Sequence, residues 1–230
     1  MKVLLAAVCA VVLAAPAWAA PESGGGFGWF GPYVGFADFT GLNDAFARAG
    51  IMTKLEPMHW MMGGGGHGLI GRILIGGSGW GGEQTVASES LRARVELGGA
   101  EFDVGYAVLE MEHVILAPVL GIGGGGYTIE LERINQPMGS FEELLRNPGR
   151  TSAVSMSSFL LAPQLVVTVP VKFVGLQLRG GYIYSPMSPE WKLKGGGNLN
   201  LGPKIAKGMP FASLNVAFGG FGSGRRRSRD

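Results

Sequence analysis

The chain has a single cysteine, Cys9, and it lies inside the apolar N-terminal run. With that run removed, no disulfide, thiol nucleophile or thiolate metal site can form. Histidine is nearly as scarce. His59, His67 and His113 stand in no metal-ligand spacing with carboxylates, so no metal is expected. Charged residues make up only 16% of the chain against 47% apolar. Four arginines crowd the terminal Arg225-Arg226-Arg227-Ser228-Arg229 run, and without them and Lys2 the acidic side chains slightly outnumber the basic ones. A nucleic-acid surface therefore has no support. Long apolar helices are missing beyond the first twenty residues, which leaves no helical membrane span.

Catalytic patterns are missing as well. The glycine runs are not followed by Gly-Lys-Ser/Thr, so they make no phosphate cradle. Ser158 and Ser185 sit in no nucleophile elbow, and no hydrolase triad can be assembled from the sequence. The expectation is a protein that is not an enzyme and uses no cofactor.

Glycine, by contrast, is abundant, with 41 residues. They follow no G-X-Y period, which excludes collagen, and the apolar fraction is too high for a disordered polar tract. The N-terminus has a charged start at Lys2, an apolar run from Val3 to Ala15 and an Ala17-Trp18-Ala19 step, the three parts of an export signal. Residues 1–19 are thus read as a signal peptide, 20–221 as one domain and 222–230 as a basic tail.

Within the domain, period-2 alternation dominates. Leu91-Arg92-Ala93-Arg94-Val95-Glu96-Leu97 places apolar residues at odd positions with charges between them, which suits a strand with one apolar and one wet face. After Gly98-Gly99 the alternation resumes in the opposite phase, with Phe102, Val104, Tyr106 and Val108 on one face. A second strand from Val114 to Leu131 contains Gly123 to Gly126, which would lie opposite Gly98-Gly99 if the chain reverses near Met111-Glu112-His113. Gly63 to Gly66 and Gly76-Gly77-Ser78-Gly79 repeat that arrangement in the preceding hairpin. Further strands are expected at Tyr33–Phe39, Thr151–Val169, Val174–Tyr184 and Phe211–Phe218. Pro21 to Gly31, rich in glycine and aromatics, reads as a flexible start that also anchors at a membrane boundary.

Leu42, Ala45, Phe46 and Ala49 before Gly50 mark a short loop helix, and Ser140-Phe141-Glu142-Glu143 a capping box for another. Ser185 to Gly208 reads as loop. The fold class is therefore all-β, an antiparallel up-and-down β-barrel of eight strands with short loop helices. Ten strands result if Gly98-Gly99 is a hairpin turn and the next strand breaks at Gly123 to Gly126.

The signal peptide, the alternating hairpins, Gly121-Ile122-Gly123-Gly124-Gly125-Gly126, Gly181-Tyr182 and the ending Phe218-Gly219-Gly220-Phe221 give a chain that resembles the small bacterial outer-membrane β-barrels. The resemblance implies outer-membrane lipid and the barrel-insertion machinery as partners, with short turns on one side and long loops on the other. Nine residues follow Phe221, whereas such barrels finish on an aromatic residue. The implied role is structural, or porin-like passage of a small solute, without catalysis.

Charges facing lipid are costly, so on such a barrel they point inward. The expected lumen set is Arg92, Arg94, Glu96, Glu101, Asp103, Glu130, Glu132, Gln177 and Arg179, packed against one another more readily than lining a water path. Val95, Phe102, Tyr106, Ile129, Leu176 and Leu214 would then meet lipid. The competing reading is a secreted soluble barrel that holds an apolar ligand, in which the two faces exchange.

Overall fold

The computed structural model describes residues 24–111, 113–134, 151–187, 190–194, 196–199 and 202–220. The expected signal peptide, the expected capping box at Ser140, Phe221 and the basic tail lie outside them. Eight antiparallel strands close a barrel: β1 (Gly24–Phe36), β2 (Met58–Ile70), β3 (Ile73–Ala87), β4 (Leu91–Tyr106), β6 (Val114–Arg133), β7 (Thr151–Val171), β8 (Val174–Tyr184) and β11 (Gly208–Gly220). Closure comes from β11 pairing with β1, Phe30 opposite Val216 and Val34 opposite Ala212. Short β5 (Leu109–Met111) lies in the β4–β6 turn, and β9 (Trp191–Leu193) and β10 (Asn198–Leu199) form a small hairpin in the loop before β11.

Gly98-Gly99 is no turn. β4 runs straight through it, with Gly98 opposite Gly126 and Gly99 opposite Gly125, so the count is eight strands rather than ten. β1 starts earlier than expected, which puts Gly24 to Gly31 in the wall and not in a flexible lead-in.

Connections are short at one end of the barrel. Gly71 at φ 60° and Lys172 at φ 62° make the β2–β3 and β7–β8 turns. The opposite end carries the long loops. The first contains α1 (Thr40–Arg48), whose Leu42 and Phe46 join one buried apolar cluster with Val86, Ala93, Val95 and Ile129. Phe39 meets Tyr127 edge-on at 6.2 Å, and Asn43 exchanges two hydrogen bonds with the Leu55 backbone, so this loop folds back into the barrel mouth. The Gln84 amide, bonded to Glu56 and to the His59 ring, ties β3 to the start of β2.

Inward glycines make room for bulky neighbours. A side chain at Gly65 would stand 2.8 Å from the Trp29 ring, at Gly63 2.6 Å from Tyr33, and at Gly99 2.8 Å from Trp80. Small residues opposite large ones are how a narrow barrel accommodates bulky inward side chains.

Candidate functional site

Along β4, inside and outside exchange character at Gly98-Gly99. On the loop side, Ala93, Val95 and Leu97 are buried inside the barrel, and Arg92, Arg94 and Glu96 stand on the outer face. On the turn side the order inverts: Glu101 and Asp103 are buried inside and Phe102 and Val104 are exposed outside. On its outer face β6 follows the same rule, with Thr128, Glu130 and Glu132 alternating outward above its glycines and Ile122 outward below them, while its interior is apolar on both sides, Ile129 above and Ile115, Ala117 and Val119 below. β3 does too, from exposed Glu83 and Thr85, through Gly81, Gly79 and Gly77, to exposed Ile75 and Ile73. A glycine carries no side chain to declare a face, so the polarity phase can switch there without breaking the ladder.

This corrects the expected lumen set. Arg92, Arg94, Glu96, Glu130 and Glu132 form an outer charged collar, in which Arg92 pairs with Glu132 at 3.4 Å and Arg94 with Glu83 and Glu96. Val95 and Ile129, expected against lipid, are buried inside. The physical reason is the loop end itself: with α1 packed into the mouth, the interior there is an ordinary apolar core. Below the collar, Phe30, Phe102, Leu165, Leu176, Leu214 and Phe218 form an exposed apolar belt around the wall, with Leu176 56% exposed.

Glu101, Asp103, Gln177 and Arg179 face the interior, and Glu101, Asp103 and Arg179 come together across the barrel, while Gln177 meets Thr168 of the neighbouring strand. Arg179, 1% exposed, is the centre. Its Nη2 donates to Asp103 Oδ2 at 3.0 Å, its Nε donates to Gln164 Oε1 at 3.0 Å, and its guanidinium carbon lies 4.1 Å from the centre of the Trp29 ring. Asp103 Oδ2 also lies 2.9 Å from His67 Nε2. Trp80 donates to Glu101 at 3.1 Å, and Gln177 donates to Thr168 at 3.2 Å. Buried charges persist only when paired and hydrogen-bonded. Here the pairing also closes the lumen, because Asp103, Gln177, Thr168 and Asn215 have almost no exposed surface at this level.

Sequence reasoning missed Trp29 and His67 in this network. His67 has a carboxylate neighbour after all, Asp103, but one supplied by a different hairpin. Alternation alone could have found Gln164, Thr168 and Asn215, which face inward on β7 and β11. Among the described residues no group of His, Cys, Asp and Glu is arranged to hold a metal ion, and no helix is long and apolar enough to cross a membrane, which says nothing about strands.

No protein-family model matches the sequence, and no curated protein matches it. Solved structures do match. The chain is similar to Ail, the attachment invasion locus protein of Yersinia pestis, in its crystal structure with the heparin analogue sucrose octasulfate, at TM-score 0.51 and 13% identity over 86% of this chain and 99% of that one. It is also similar to a major outer membrane protein from Thermus thermophilus, at TM-score 0.53 and 9% identity over 85% and 99% of the two chains. At such identities the likeness shows the fold: an antiparallel barrel of the kind found in known outer-membrane proteins.

Proposed function

We propose that this chain is an integral outer-membrane β-barrel, placed by the barrel-insertion machinery, with a structural role in the envelope and no catalysis. The observation that carries the reading is the switch on the outer face of β3, β4 and β6, where exposed apolar residues on the turn side of the glycines give way to charged ones on the loop side. A soluble barrel gains nothing from a continuous exposed apolar belt, and a patch of that extent on a monomer marks a surface that meets something other than water. In a bilayer the belt meets hydrocarbon, the collar meets headgroups and water, and the loops project outward, as the short-turn, long-loop asymmetry of such barrels requires. The stretch Gly98–Tyr106 is as long as a tilted strand needs to be to cross the apolar band, which takes about 9–11 residues.

The Arg179 network supports a structural role over passage of solute, because side chains fill the lumen at its level. The test is fractionation of the native envelope. The protein is expected to stay with the membrane through high-salt and carbonate washes and to migrate faster unheated than boiled in detergent electrophoresis. Release by either wash contradicts the reading.

A further inference from the structure

Above the Arg179 network and beneath residues 190–191 and 202–207, the barrel mouth holds a cavity of about 690 Å³. Its walls are apolar: Trp80, Leu97, Met156, Leu160, Ile183 and Met209 come from the strands, and Trp191 and Ile205 close it from the loop. This volume falls within the range of about 300–1,000 Å³ usual for small-molecule sites.

Among the described residues, the wall beside the cavity is incomplete. β7 pairs with β8 only as far as Leu161 opposite Tyr184, and pairs with β9 only at Val154 and Ser155. Residues 156–160 lie between these two ladders, where the hydroxyls of Ser158 and Ser185 touch across the gap. On the outer face a second concavity of about 950 Å³ runs over Gly81, Gly98, Gly124 and Gly126, and it shares Met156, Ser158 and Met187 with the inner cavity. The glycine floor, bare of side chains, thus leads along the upper edge of the apolar belt to the gap between β7 and β8.

The rim is cationic. The loop carries Lys192, Lys194, Lys204 and Lys207 against the single acid Glu190, and Lys204 and Lys207 are exposed where they border the cavity.

We infer that this cavity binds one acyl chain of an anionic amphiphile, which enters sideways through the gap between β7 and β8 and leaves its head on the lysine rim. The inference rests on the outer-membrane reading, which sets the belt's upper edge at the bilayer surface. The anionic head and the chain are shared by free fatty acids and acidic phospholipids, so the experiment separates these sources.

The full chain, refolded in detergent, is titrated with cis-parinaric acid, a fluorescent fatty acid, and is separately placed in vesicles whose phosphatidylglycerol carries brominated chains, with Trp60→Phe removing the indole on the outer belt. Saturable parinarate binding, or quenching of the remaining tryptophans that Met156→Phe diminishes, supports the site. Response to parinarate alone identifies a free acid, and response to the brominated lipid identifies a membrane source. The pair Ser158→Cys and Ser185→Cys tests the route, because the two side chains already touch. Oxidation is expected to slow uptake by about tenfold or more, and reduction to restore it. Uptake at equal rates in the oxidised and reduced forms overturns entry through the gap. Absence of saturable binding and of tryptophan quenching, in a preparation that still shifts on heating and resists carbonate, overturns the cavity as a site and leaves the barrel reading intact. Release by carbonate sinks the barrel reading instead.

Discussion

Arg179 is the residue on which the interior depends. A guanidinium in a barrel wall must be turned inward or be stripped of water against apolar surroundings, and inside it needs partners for a planar fork of donors. Asp103, Gln164 and the face of Trp29 supply them from three other strands. Removing one member of a buried pair is costlier than replacing both, since the survivor keeps an uncompensated charge. Arg179→Met is therefore expected to destabilise the barrel by roughly 3–5 kcal/mol. Arg179→Met combined with Asp103→Asn should cost clearly less than the two single changes added together. Urea unfolding, followed through loss of the fast-migrating unheated band, measures all three variants. Additivity within about 0.5 kcal/mol would mean that the two side chains do not act as a pair.

At the scale of elements, β4 shows both how far the sequence could be read and where it stopped. Its two alternating halves are plain in the sequence, and so is the change of phase between them. The structure adds that the phase change is a change of surroundings along one unbroken strand. A single inside-outside rule applied to the whole strand put Arg92 and Arg94 in the lumen, when half the strand lies beyond the apolar belt. α1 was legible from its spacing, and its packing into the barrel mouth is what makes the upper interior apolar. The short β9 and β10 were not legible, because two- and three-residue strands have no period to detect.

The tight turns carry a separate prediction. Lys172 sits at φ 62°, a left-handed conformation that costs a side-chain-bearing residue, whereas the equivalent turn at Gly71 uses glycine. Lys172→Gly should stabilise the protein by about 0.5–1 kcal/mol, and Gly71→Ala should destabilise it by a similar amount, in the same urea assay. Equal stability of Lys172→Gly and the parent chain would show that the turn is unstrained.

For the whole molecule, strand number, direction and the pairing of glycine runs could be read from the sequence because neighbouring strands are joined by hairpins. The Arg179 network could not, since Asp103 and Arg179 meet across the lumen from strands far apart in sequence. Only barrel closure and its register bring them together. The same closure sorts the exterior into a belt and a collar, and the claim that the belt lies in hydrocarbon is what the proposed function rests on. Spin labels placed one at a time on the outward positions Arg94, Glu96, Ala100, Phe102 and Val104 of the protein in vesicles test it most directly, by collision with oxygen, which concentrates in lipid, and with a water-soluble nickel chelate. The labels at 100, 102 and 104 should respond to oxygen and those at 94 and 96 to nickel, with the crossover at Gly98-Gly99. Equal nickel response at all five positions would place the whole strand in water and contradict the account.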